Sequence, residues 1–237
     1  MPVARHAERV RASPVWGTRA ASGPPSPVVT EGLGRRFGPV VALHDVTLRV
    51  QQGQCLLLVG PNGSGKTTLL RVLATALRPT EGRAWVWGYE VTAEGWRVRE
   101  VCAYLGTAPG VYGALSGFEN LRLAADLCGK PVGRVPELLA RVGLMPAAHR
   151  LVASYSLGMR RRLALARAFL QEPLVALLDE PFVGLDEEGR ELVRQLVEEV
   201  KSRAGAVVLA THDGDRARGL YDRVVCLEAG SLRAAGG

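Results

Sequence analysis

Apolar residues along the chain fall into two kinds of pattern. Cys55-Leu56-Leu57-Leu58-Val59, Val101-Cys102-Ala103-Tyr104-Leu105, Leu174-Val175-Ala176-Leu177-Leu178 and Ala206-Val207-Val208-Leu209-Ala210 are nearly unbroken apolar runs, each the length of a buried strand, with Val224 to Leu227 a further one. Val46-Thr47-Leu48-Arg49-Val50 alternates instead and, with Val28-Val29-Thr30, predicts half-buried antiparallel strands ahead of the first run. After the turn Pro79-Thr80-Glu81-Gly82, Arg83 to Gly88 reads as another strand, with Trp85 and Trp87 on one face and expected in the core. Helical spacing takes over at Leu121, Leu123, Ala124 and Leu127, then at Val135, Leu138, Leu139 and Val142, which predicts a small helical insertion over about 108–155. Further helices are expected from about Leu157 to Leu170 and from Glu187 to Lys201. The expected fold class is α/β, a sheet flanked by helices, with an antiparallel β subdomain and a small α-helical subdomain.

The loops at the ends of the apolar runs carry the chemistry. Cys55 to Val59 is followed by Gly60-Pro61-Asn62-Gly63-Ser64-Gly65-Lys66-Thr67-Thr68, the G-x-x-x-x-G-K-T phosphate loop in its strand-to-helix context. Residues without bulky Cβ groups let successive backbone N–H groups converge on a phosphate chain, and the following helix turns its positive end toward the anion. Lys66 is expected to reach the β and γ phosphates and the Thr67 hydroxyl to bind Mg²⁺. Lys-Thr at this spacing argues against a turn that binds nothing. Asp179 ends the apolar run from Leu174, the placement needed to hold Mg²⁺ through its water shell. Glu180, one position on, is the candidate general base toward the attacking water. Thr211-His212-Asp213 ends the run Ala206 to Ala210, so His212 is expected at the same rim as a γ-phosphate contact. Phe37, expected on a loop, either stacks on an adenine face or packs on the sheet.

Composition narrows this reading. At 237 residues the chain suits one domain of ordinary size, perhaps with a small subdomain. Its apolar runs fall far short of the roughly 20 residues of a membrane-spanning helix. The net charge is +7, of which Arg5, Arg9, Arg11 and Arg19 against Glu8 place +3 in residues 1–27, leaving +4 for the rest. With no nucleic-acid-reading motif beside it, this charge does not imply a nucleic-acid partner. Residues 1–27 are rich in Arg, Ala, Ser, Gly and Pro without apolar periodicity, and no stable structure is expected there. Cys55, Cys102, Cys128 and Cys226 lack C-x-x-C spacing and read as reduced cytosolic thiols without a metal.

Between the helical insertion and the Asp179 strand stands Tyr155-Ser156-Leu157-Gly158-Met159-Arg160-Arg161-Arg162-Leu163-Ala164-Leu165-Ala166-Arg167-Ala168. It resembles the signature motif and helix of ABC transporter ATPases. Phe37, the phosphate loop, Asp179 with Glu180, the loop Val183-Gly184-Leu185-Asp186 and His212 follow that family's order over residues 28 to 234. The resemblance implies an ABC-type nucleotide-binding domain of the P-loop NTPase fold over 28–237. ATP and Mg²⁺ would be its cofactors, and it would form a head-to-tail dimer with a second ATPase subunit. Ser156 and Gly158 would contact ATP in trans, Asp186 would take part in the site, and integral membrane subunits would carry the cargo. The protein would sit peripherally at the cytoplasmic face of the cell membrane.

Two departures from the family pattern stand out. Leu157 and Met159 replace the usual Gly and Gln of the signature, and Ala108 stands where Gln normally precedes Pro109. A water is expected to fill the coordination place that Ala108 cannot serve. The words at 106–121, 154–160, 178–186 and 209–213 look most like the ATP-binding subunit of the haem exporter of cytochrome c maturation, and on that likeness no C-terminal regulatory domain is expected. The alternatives are a drug or lipid exporter, or a soluble ABC ATPase of translation or DNA repair.

Overall fold

The computed structural model describes residues 26–233. The expectation for residues 1–27 falls almost wholly outside that range. At its edge, Pro27 is buried and its carbonyl accepts the Trp87 N–H at 2.6 Å.

Two sheets are present. Strands β1 (Val28–Phe37), β2 (Val40–Val50), β4 (Glu81–Val86) and β5 (Tyr89–Glu90) form an antiparallel sheet in the order β2-β1-β4-β5. The second sheet has the order β10-β9-β3-β8-β7-β6, from β3 (Cys55–Val59), β6 (Cys102–Leu105), β7 (Val175–Asp179), β8 (Ala206–Ala210), β9 (Arg223–Glu228) and β10 (Ser231–Arg233). All its pairings are parallel except the β9-β10 hairpin. Helices α1 (Lys66–Leu73), α2 (Gly95–Val101), α3 (Gly117–Cys128), α4 (Val135–Arg141), α5 (Leu157–Gln171) and α6 (Glu187–Ser202) complete the order, joined in places by short 3-10 turns.

The unbroken apolar runs are explained by burial on both faces of the parallel sheet. Along β3, β7 and β8 alternate residues enter two different cores. Leu57, Ala176, Leu178, Val207 and Leu209 pack with residues of α3 to α6, and Leu56, Leu58, Val175, Leu177 and Val208 pack with α1 and the antiparallel strands. In such a sheet the ligand site lies beyond the carboxyl ends of the strands. The ends of β3, β8, β7 and β6 are neighbours, with Leu58 and Asp179 both opposite Ala210 and Leu105 opposite Leu178.

Several local expectations are corrected. On β4 it is Ala84 and Val86 that are buried. Trp85 therefore lies on the other, half-exposed face, whereas Trp87, in the turn after the strand with φ 53°, does pack, partly buried, against the core between α1 and the antiparallel strands. Glu81 and Gly82 belong to β4, and Val101 ends helix α2. On α3 the buried positions are Gly117, Asn120, Leu121 and Ala125, which leaves Leu127 75% exposed. Phe37 is the last residue of β1, paired with Val40, and not on a loop. Its ring is 43% exposed, with the Arg35 guanidinium 4.5 Å from its centroid. All four cysteines are free, and burial pushes the Cys55 and Cys102 thiols up to about 12, which makes them inert at neutral pH.

Candidate active site

The phosphate loop is shaped first by its neighbours. A Cβ on Gly60 would lie 2.0 Å from the Leu227 carbonyl oxygen at the end of β9, and one on Gly65 would lie 2.5 Å from that of Ala42 on β2. Their φ values of 148° and 107° are also closed to ordinary side chains. These two glycines therefore serve the packing of the loop as well as its ligand. Among the described residues the N–H groups of Asn62, Gly63, Gly65 and Lys66 meet no backbone acceptor, and the Ser64 hydroxyl is buried without a partner. A row of free donors at a helix start is the chemistry that a polyphosphate satisfies. Lys66 Nζ donates to the carbonyls of Gly60 at 2.6 Å and Pro61 at 2.9 Å, leaving one ammonium proton for a ligand. Burial lowers its pKa, and the charges of Glu180 and Asp179 resist that shift. Thr68, half-buried, follows in the first turn of α1.

Asp179, at the end of β7, is buried and faces this loop. Its Oδ1 accepts from the Thr67 hydroxyl at 3.2 Å, and its Oδ2 has the hydroxyls of Tyr104 and Thr107 at 3.4 Å each. Burial raises the Asp179 pKa, the Thr67 hydrogen bond lowers it, and the neighbouring Glu180 raises it. A hydroxyl and a carboxylate are the hard oxygen donors that Mg²⁺ takes, with water and phosphate completing its shell. Thr67 and Asp179 supply two such donors, which fits an ion that takes the rest of its shell from phosphate and water.

Glu180 stands at φ 49° with its N–H bonded to the Ala210 carbonyl. Its Oε2 accepts from the Thr211 hydroxyl at 2.9 Å, and its Oε1 accepts from the His212 backbone N–H at 2.9 Å and meets His212 Nδ1 at 2.7 Å. The His212 side chain is 57% exposed and Glu180 only 15%. His212, expected from the sequence at this rim as a γ-phosphate contact, here engages the carboxylate of Glu180 with its imidazole. With Glu180 ionised, the assigned tautomer carries its proton on Nδ1.

The signature residues form a second cluster. Ser156 caps α5, its hydroxyl accepting the Met159 N–H at 3.2 Å. Gly158 lies against the loop before α6, where an added Cβ would be 2.9 Å from the Gly184 carbonyl oxygen. Asp186 caps α6 through the Gly189 N–H, and both its oxygens accept from Arg162 of α5, at 2.6 and 2.8 Å. Among the described residues no hydrogen bond joins Ser156, Gly158 or Asp186 to the phosphate loop, Asp179, Glu180 or His212. The sequence reading missed Tyr104, Thr107 and Arg161. Arg161, on α5, is 2% exposed and donates to the carbonyls of Gly106 at 2.7 Å and Thr107 at 2.6 Å. Arg167 donates to the Gly110 carbonyl, so the 106–110 loop is tied to α5 at both ends.

A profile of the ABC transporter family matches residues 43–183, more than half of the chain. The chain belongs to the ABC transporter family. Its fold is that of an ABC ATPase domain. The doxorubicin resistance ATP-binding protein DrrA of Mycobacterium tuberculosis is 39% identical over 215 residues, covering 88% of this chain and 65% of that protein. The Fe(3+) ions import ATP-binding protein FbpC of Agrobacterium fabrum is 35% identical over 217 residues, covering 90% of this chain and 61% of that one. This chain thus spans under two thirds of the length of each. A dimeric ATP-binding cassette in a post-hydrolysis state, bound to ADP and Pi, superposes with a TM-score of 0.79 at 25% identity over 89% of this chain and 99% of that one. No helix of the described residues is long and apolar enough to cross a membrane.

Proposed function

We propose that the protein is the ATP-hydrolysing subunit of an ABC exporter, held peripherally at the cytoplasmic face of the membrane by separate membrane subunits. The observation that carries this reading is the meeting, at neighbouring strand ends, of a donor-lined phosphate loop, the Thr67–Asp179 pair and a Glu180 carboxylate wired to His212. In it, the free N–H groups, Lys66 and Ser64 bind the phosphates, and Phe37 offers its exposed ring to the adenine. Thr67 and Asp179 would hold Mg²⁺, which when bound neutralises phosphate charge and orients the phosphates. Glu180 takes the proton of the attacking water. Three of its roughly four lone-pair sites are already filled by Thr211 and His212, so one remains for that water. His212, with its Nδ1 proton toward Glu180, holds that carboxylate in place; a γ-phosphate contact through its second ring nitrogen requires a proton there as well. Glu180→Gln abolishes this base without removing the donors around it.

Ser156 and Gly158 stand apart from the chain's own phosphate loop, which supports a head-to-tail pair in which they cover the nucleotide of a second ATPase subunit. Asp186, tied to Arg162 beside Gly158, belongs to that covering half. For the cargo we infer haem, on the likeness of the 106–121 and 154–160 stretches to the haem exporter subunit of cytochrome c maturation. A drug-type cargo is the second reading, favoured by the name of the doxorubicin resistance relative. Expressing Glu180→Gln in the source cell separates them: loss of c-type cytochromes with unchanged doxorubicin tolerance supports haem, and the reverse result supports a drug. Co-purification of the wild type with ribosomes and no integral membrane protein would overturn transport itself.

A further inference from the structure

The Oδ2 atom of Asp179 faces two hydroxyls that the reading above does not use. Those of Tyr104 and Thr107 lie at 3.4 Å, longer than a closed O–H···O bond of about 2.8 Å. They surround this oxygen without clamping it. Tyr104 is on β6, so its place is set by the sheet. Thr107 is exposed and on a loop, and a loop hydroxyl holds position only if its backbone is held. Arg161 provides that hold. Its guanidinium is buried and, among the described residues, makes no ion pair, yet two of its nitrogens grip the carbonyls of Gly106 and Thr107. Burying an unpaired cation is costly, and the negative charges of Asp179 and Glu180 partly offset it, so the arginine belongs electrostatically to the site. Ala108, next along, presents no polar atom.

We propose that Thr107 is a positioning residue for the metal-binding carboxylate: its hydroxyl orients Asp179 Oδ2, and Arg161 fixes that hydroxyl by holding the loop carbonyls. Arg161 lies three residues beyond Gly158, on the helix capped by Ser156. The helix that covers a second subunit's nucleotide thereby also sets the geometry at its own subunit's Asp179. The proposal rests on Asp179 being a metal ligand, and the test separates the two ideas.

The measurement is equilibrium binding of a fluorescent ATP analogue to the full chain at increasing free Mg²⁺, with EDTA as the metal-free reference. Thr107→Val, which keeps the shape and removes the hydroxyl, raises the half-saturating Mg²⁺ concentration about 2- to 12-fold, the net worth of one hydrogen bond. It leaves binding in EDTA unchanged, and Thr107→Ser restores the wild-type curve. Arg161→Lys, which cannot span both carbonyls, gives a shift in the same direction. Asp179→Asn gives the largest shift. A wild-type curve for Thr107→Val beside a shifted Asp179→Asn overturns the role of Thr107 alone. An unshifted Asp179→Asn overturns the metal role of Asp179 and the proposal with it.

Discussion

The two clusters of functional residues are built on opposite plans. The phosphate-loop cluster stands on four adjacent strand ends whose register is fixed by burial on both faces, and its side chains are bonded to one another: Thr67 to Asp179, and Thr211 and His212 to Glu180. The signature cluster stands at the start of one helix, where Ser156 and Leu157 are exposed and the cap bond is a long 3.2 Å. Its close packing is sideways, from Gly158 onto the Gly184 carbonyl and from Arg162 onto Asp186. One cluster is assembled by the chain's own core, and the other is a surface held in shape by its neighbours. That difference is what a site shared between two subunits requires.

The largest effect should come from the first cluster. Glu180→Gln lowers steady-state ATP hydrolysis by about 10²- to 10⁴-fold, the range for loss of a general base, with ATP affinity retained. A fall of less than about tenfold would move the base elsewhere. Gly158→Ala tests the second cluster. The new methyl meets the Gly184 carbonyl, so the loop before α6 must shift, and hydrolysis falls by about 5- to 150-fold for a distortion of about 1–3 kcal/mol. Nucleotide binding to the isolated chain stays at the wild-type level, because no hydrogen bond reaches the phosphate loop from this position. Equal loss of binding would erase the distinction between the clusters.

Ala108→Gln places an amide near Asp179 and is expected to raise basal hydrolysis by a few-fold, the scale of one added hydrogen bond. Unchanged or lower activity contradicts this. The smallest effect is on stability. The Asp179 pKa is raised by burial, so the folded state holds this proton more tightly than the unfolded chain does. The contribution is fully present below the ordinary carboxylate pKa. It is lost as pH rises from there through the higher folded value, so at neutral pH the charged Asp179 opposes folding. Asp179→Asn should therefore melt higher than wild type at pH 7 without Mg²⁺ or nucleotide, with the gap closing toward pH 3. A lower melting temperature at pH 7 would show the carboxylate to be net stabilising.

The first cluster was legible because each of its residues ends or follows a continuous apolar run. Asp179, Glu180 and His212 could be placed at one rim before any contact was known. What escaped depends on tertiary packing. Arg161 sits in Arg160-Arg161-Arg162, which reads as a solvated face, and only its spacing to Leu165 and Ala168 on the buried side of α5 hinted otherwise. Helix α2 lacks both a side-chain cap and a broad apolar stripe, with only Val98 and Val101 buried, so nothing marked it. Period two put Trp85 and Trp87 on one face but could not say which face of β4 meets the core: Ala84 and Val86 take it, and Trp87 reaches the core only from the turn beyond the strand. Thr107 escaped because a threonine in the loop Gly106-Thr107-Ala108-Pro109 carries no periodicity, and its approach to Asp179 exists only once β6 and β7 pair.

The central claim is that the phosphate-loop half of the site is completed by Ser156 and Gly158 of a second subunit. The most direct test is the solution mass of Glu180→Gln by light scattering, with ATP and Mg²⁺ and without them. A monomer that becomes a dimer only with nucleotide, and no longer does so when Ser156→Ala and Gly158→Ala are added, is the predicted result. A nucleotide-bound monomer, or a dimer indifferent to those two changes, would contradict it.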